Sequence, residues 1–99
     1  MTSTPSVWLV TGCSTGFGQE LARTLLRRGH DVVVTARNAA TLAEFASHGS
    51  ALVATLDVTV PQQIAEVVRQ AESRFGRIDV LVNNAGYGYL AAVEEGEDD

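Results

Sequence analysis

The octapeptide Thr11-Gly12-Cys13-Ser14-Thr15-Gly16-Phe17-Gly18 follows the apolar run Val7 to Val10 and precedes a stretch with helical spacing. Three glycines between a strand and a helix leave few folds open, because this is where a loop that cradles phosphate must lie. Backbone N–H groups at a helix N-terminus point outward without partners, and the helix dipole favours an anion there, so neither a metal nor a lysine is needed. Gly12 is expected to take the tight turn off the strand, Gly16 to let a ligand approach the main chain, and Gly18 to let the helix pack against the sheet. Ser14, Thr15 and Phe17 complete the expected binding loop.

The rest of the chain fits that reading. Val7 to Thr11, Val32 to Thr35 and Ile78 to Val82 are continuous apolar runs rich in β-branched residues, as in strands buried on both faces of a parallel sheet, and Ala51 to Leu56 is a weaker fourth. Between them lie three segments with helical spacing: Leu21, Leu25 and Leu26; Leu42, Phe45 and Ala46; and Ile64, Val67, Val68, Ala71 and Phe75. Gly29, Gly49 and Gly76 fall where a left-handed residue would close each helix. Thr59, Pro61 and Gln62 read as the start of the third helix, with Thr59 as cap. Alternating strands and helices with right-handed crossovers predict a doubly wound α/β sheet, strand order 3-2-1-4, with the first two helices on one face and the third on the other. The switch point then lies between the first and fourth strands, where the glycine loop meets Asn83-Asn84-Ala85-Gly86.

Composition narrows the function further. The chain has 99 residues, 45% of them hydrophobic, enough for one unit spanning 1–99 and no second domain. Its formal charge of −5 comes from Glu94, Glu95, Glu97, Asp98 and Asp99; the remaining seven acids balance seven arginines. No basic patch with interleaved aromatics supports nucleic-acid binding, and no run is long enough to span a bilayer. The lone Cys13 forms no internal disulfide, and with no secretory signal the expected location is cytoplasmic.

At the end of the second strand, nineteen residues after Gly18, stands Arg37, where an acid would grip an adenosine ribose diol. Asp31 is at the wrong end of that strand. A guanidinium can fork onto a 2′-phosphate that a carboxylate would repel, so Ala36-Arg37 points to NADP(H) over NAD(H), with a solvated surface cation as the other reading. Asp57 could accept a hydrogen bond from the adenine amino group while Val58 packs on the ring; equally, Asp57 could cap the turn that follows. Asn84, Ala85 and Gly86 are expected near the nicotinamide ribose, or else form an ordinary Asn/Gly turn. Cys13 reads as a small loop filler rather than an activated thiol. His30 and His48 sit at helix C-terminal ends, and no Cys/His/carboxylate cluster has metal spacing.

Together, Thr11 to Gly18, Asp57 and Asn83 to Gly86 resemble the TGxxxGxG loop, the adenine-contacting Asp and the NNAG motif of the short-chain dehydrogenase/reductase family, over residues 7 to 99. The resemblance implies a Rossmann-type fold, a nicotinamide dinucleotide cofactor and, in a complete protein, hydride transfer to or from an alcohol or carbonyl carbon and homo-oligomeric assembly. The stretch from Asn83 to Asp99 looks most like members acting on hydrophobic alcohols or ketones. The family works with a Tyr and a Lys four residues on, a Ser, and an Asn in a later helix. This chain has no lysine, and Ala91 and Val93 stand four residues after Tyr87 and Tyr89. A tyrosine without a neighbouring cation keeps a pKa of about 10 and moves protons poorly at neutral pH. No catalytic residue is therefore assigned. The expectation is the cofactor-binding N-terminal part of an oxidoreductase, inactive alone; the alternative is a non-catalytic nucleotide-binding or regulatory module that pairs its open fourth strand with a partner.

Overall fold

The computed structural model describes residues 5–84. The elements run β1 (Val7–Val10), α1 (Gly16–Arg27), β2 (Asp31–Ala36), a 3-10 segment (Ala39–Phe45), β3 (Ala51–Thr55), α2 (Pro61–Phe75) and β4 (Val80–Val82). All strand pairs are parallel, and the sheet order is β3-β2-β1-β4, as the crossover argument requires. Val7 lies beside Asp31, and Trp8 lies beside Val80 and Val32, so β1 is flanked on both sides.

The continuous Val32-Val33-Val34 run is explained by burial on both faces, all three being fully enclosed. Val32 and Val34 join Val10, with Ala22, Leu25 and Leu26 of α1 and Leu42 and Phe45 of the 3-10 segment, on one side of the sheet. Val33 joins Leu9, Ala54 and Leu56, with Val67 and Ala71 of α2, on the other. Each enclosed Val or Leu contributes about 1.5–3 kcal/mol, so β2, filled from both sides, holds the layers together. The β4 side is thinner: Leu81 is 60% exposed.

Three local expectations are corrected. The second helical segment is a 3-10 turn and not an α-helix. Asn38 tightens its start, its side chain accepting from the Ala40 N–H and its carbonyl from both the N–H and the hydroxyl of Thr41. Leu42 then leaves helical backbone (φ −107°, ψ 22°) while staying enclosed. A three-residue repeat stacks Leu42 over Phe45, which suffices to reach the core. Gly49 does not take a left-handed conformation, whereas Gly29 and Gly76 do. At Gly29, α1 ends with the Gly29 N–H on the Leu26 carbonyl and the His30 N–H on the Leu25 carbonyl, both at 3.1 Å. Finally, Val60 and not Thr59 is the N-cap of α2, with Pro61 opening the helix and no capping side chain. The Thr59 hydroxyl is engaged by Asp57 instead, and it is Gln63, not Gln62, that reaches back, to the Asp57 N–H.

Candidate functional site

The carboxyl ends of β1, β2, β3 and β4 converge on the glycine loop. Its backbone is fixed from three directions. The Thr11 N–H donates to the Val82 carbonyl at 3.0 Å, binding the loop to β4, and the Cys13 N–H donates to the Thr35 carbonyl at 2.8 Å, binding it to β2. Asn84 Nδ2 donates to the Gly12 carbonyl at 3.1 Å. Inside the turn the Cys13 thiol and the Thr35 hydroxyl both donate to the Val10 carbonyl. Burial pushes the Cys13 thiol up to about 11, against a weaker opposing effect of its Thr35 hydrogen bond, so it is a structural filler and not a nucleophile.

Gly18 is the tightest point. A Cβ there would stand 2.5 Å from the Gly12 carbonyl oxygen and 2.8 Å from Asn84 Nδ2. No side chain fits, so α1 begins pressed against the turn that precedes it and against the β4 loop. Gly16 serves differently: its φ of +61° is costly for other residues, while open space surrounds it. Thr15 is the N-cap of α1, yet its side chain makes no capping bond, and no acid lies in the first turn. The first N–H groups of a twelve-residue helix are thus left without a side-chain cap or a competing carboxylate, an arrangement suited to an anion.

Beside this helix end opens a cleft of about 370 Å³, lined by Gly12, Ser14 and Thr15 from the loop, Ala36 and Arg37 at the end of β2, and Leu56 to Thr59 after β3. The structure therefore brings Gly12, Ser14, Thr15, Arg37, Asp57 and Val58 together at one opening. Phe17 stands at the start of α1, 66% exposed. Asn84 reaches the loop through Gly12, while Ala85, Gly86, Tyr87, Tyr89 and the acidic segment lie outside the described residues. A larger hollow of about 520 Å³ lies between β3 and α2 and includes none of the expected site residues.

The charges in the cleft are not paired off. Arg37 is exposed and has no hydrogen bond or salt bridge among the described residues, unlike Arg23, Arg27, Arg69, Arg74 and Arg77. Asp57 Oδ1 accepts from the Thr59 N–H at 2.9 Å and its hydroxyl at 2.6 Å. Those two bonds, with a smaller contribution from Arg37, hold the Asp57 carboxyl below the usual carboxylate range. Asp57 thus shapes its turn and also faces the cleft. The sequence pattern points to Thr59 as a helix cap, whereas the Asp-x-Thr spacing of an Asx-type turn is the signal for its actual place. Among the described residues no three His, Cys, Asp or Glu side chains could hold a metal, and no helix is long and apolar enough to cross a membrane.

Known proteins are similar to this chain in sequence and fold. The family profile for short chain dehydrogenases matches residues 6–99. The chain belongs to the short chain dehydrogenase family. The oxidoreductase BOA17 of Botryotinia fuckeliana is 40% identical over 92 residues, covering 90% of this chain and 34% of that protein. A short-chain dehydrogenase from Streptomyces avermitilis superposes with a TM-score of 0.76 at 41% identity, over 82% of this chain and 31% of its own. The 3-ketoacyl-(acyl-carrier-protein) reductase of Brucella melitensis, in a structure complexed with NADH, gives a TM-score of 0.72 at 31% identity, over 77% of this chain and 32% of its own. The chain spans about a third of the length of these relatives.

Proposed function

We propose that this chain is the cofactor-binding portion of an NADP(H)-preferring oxidoreductase, whose complete form moves hydride between the nicotinamide and an alcohol or carbonyl carbon of a hydrophobic substrate. Family membership and the NADH-bound relative support a nicotinamide dinucleotide. The uncapped N-terminus of α1 suits the pyrophosphate, and the contact of Gly18 with Gly12 keeps that helix end close to the turn. Asp57 and Val58 line the side of the cleft suited to adenine, and Asn84, with Ala85 and Gly86, is assigned to the nicotinamide side. When bound, the dinucleotide supplies the hydride chemistry; the residues described here bind and orient it.

The observation that carries the NADP(H) preference is the unpaired Arg37 at the mouth of the cleft. Asp31, the acid nearest on β2, pairs with Val7 at the far end of the strand. Among the described residues no carboxylate thus stands at the end of β2 where a ribose diol would be gripped, and a guanidinium does. In the full-length protein, Arg37→Ala should weaken NADPH binding about tenfold to a hundredfold, the size of a lost charged hydrogen-bonding group, and leave NADH binding nearly unchanged. Isothermal titration with both cofactors measures this; equal losses would overturn the preference.

A further inference from the structure

We propose that Thr59 is a positioning residue for cofactor selectivity: it fastens the Asp57 carboxylate into its own turn and so keeps Arg37 open for the 2′-phosphate. The proposal rests on the reading of Arg37 given above. Asp57 and Arg37 leave the sheet side by side. Thr55 is the register partner of Ala36, and the Leu56 N–H donates to the Ala36 carbonyl at 2.9 Å, so the next residue of each strand enters the same cleft. Opposite charges placed this way ordinarily pair, and an Asp57–Arg37 pair would be self-defeating. It would occupy the guanidinium fork and set a negative charge where a phosphate must come.

No such salt bridge forms. Four hydrogen bonds hold Asp57: Oδ1 takes both the N–H and the hydroxyl of Thr59, while its backbone N–H donates to Gln63 Oε1 of α2 at 2.8 Å and its carbonyl accepts the Val60 N–H at 2.9 Å. The hydroxyl bond is the shorter of the two on Oδ1, and Thr59 supplies it from an exposed position where truncation leaves no cavity. Without it the carboxylate keeps one bond to Oδ1 and is freer to turn toward Arg37.

The test compares adenosine 2′,5′-bisphosphate with adenosine 5′-monophosphate by isothermal titration of the full-length protein. Using the ratio of the two affinities removes any effect on adenine itself. Thr59→Ala should lower the bisphosphate preference about twofold to fivefold, the size of an exposed ion pair. Thr59→Ser, which keeps the hydroxyl, should retain the preference, and Thr59→Ala combined with Asp57→Asn should restore it by removing the competing charge. A preference unchanged in Thr59→Ala, lost equally in Thr59→Ser, or not restored in the double variant overturns the proposal. The two readings fail differently. A wild-type protein without bisphosphate preference, unaffected by Arg37→Ala, overturns both; a preference abolished by Arg37→Ala but untouched by Thr59→Ala overturns this one alone.

Discussion

The two ends of the sheet are built from the same strands but treat charge in opposite ways. At the amino end, the Asp79–Arg77 pair is tied to itself and to the backbone, beside a neutral histidine contact. Asp79 accepts the Val7 N–H at 2.8 Å and the Arg77 Nε, while Arg77 Nη2 donates to the Pro5 carbonyl and His30 Nδ1 accepts the Ser6 N–H. At the carboxyl end the glycine loop is fastened by neutral groups, Thr11, Cys13, Thr35 and Asn84 holding it through amides, hydroxyls and a thiol, while the Asp57 carboxylate is taken up by Thr59 in its own turn. The cation there, Arg37, is left without a partner among the described residues. At one end Asp79 and Arg77 satisfy each other, and at the other the loop is held by neutral groups while Arg37 stays available. That division separates stability from binding, and substitutions can test whether the separation is real.

The sharpest test is Gly18→Ala. The added methyl would overlap the Gly12 carbonyl and Asn84 Nδ2, and backbone cannot yield as a flexible side chain does. Overpacking of this kind costs about 1–3 kcal/mol, and relief requires α1 to move away from the turn whose shape the anion site needs. Nucleotide binding should fall by more than about tenfold, the equivalent of roughly 1.4 kcal/mol, and Tm should fall as well. Binding that survives intact would show that the loop does not depend on the close approach.

Much of the carboxyl end could be read from the sequence because its residues form a pattern along the chain, even though Gly12 and Asn84 are themselves 72 residues apart. The glycine spacing, the β-branched runs and the handedness of crossovers fix a sheet order in which Gly12 and Asn84 must meet. The amino-end fastening could not be read: Asp79 and Val7 are 72 residues apart, and nothing about either residue alone announces the pairing. The 3-10 segment is not legible as such because Leu42 and Phe45 are three apart, a spacing that α and 3-10 backbones share, and Ala46, apolar in sequence, is exposed. At Thr59 two interpretations competed for one hydroxyl, and the turn built by Asp57 took it before the helix could.

The second test acts at the amino end. Its hydrogen bond from the Val7 N–H, then that from Arg77, holds the Asp79 carboxyl below its ordinary value. A carboxyl depressed in the folded state adds stability that is fully present above its unfolded pKa of about 3.9 and is lost as pH falls through the lower folded value. Asp79→Asn should therefore have a lower Tm than wild type at pH 7, and the gap should narrow as the pH is taken below about 4. Nucleotide affinity at pH 7 should be unchanged. A gap that stays constant with pH would assign the loss to packing, and a matching loss of affinity would break the division between the two ends.

The smallest effect is expected at Thr35, which is enclosed in the core directly beneath the loop. Its hydroxyl donates to the Val10 carbonyl at 2.9 Å, and the Cys13 thiol donates to the same oxygen at 3.2 Å. Thr35→Val preserves shape and removes one of the two side-chain donors, so the loss should be about 0.5–1 kcal/mol, the low end for a buried neutral hydrogen bond. Cys13→Ala removes the weaker donor and should cost a similar amount or less through that bond. Because each single variant leaves the other donor in place, the double variant should lose more than the sum, a coupling of about 0.5 kcal/mol or more that a double-mutant cycle in urea can resolve. Strict additivity would mean that the Val10 carbonyl is satisfied without either side chain, and that the loop is held by its backbone contacts to Thr35 and Val82 alone.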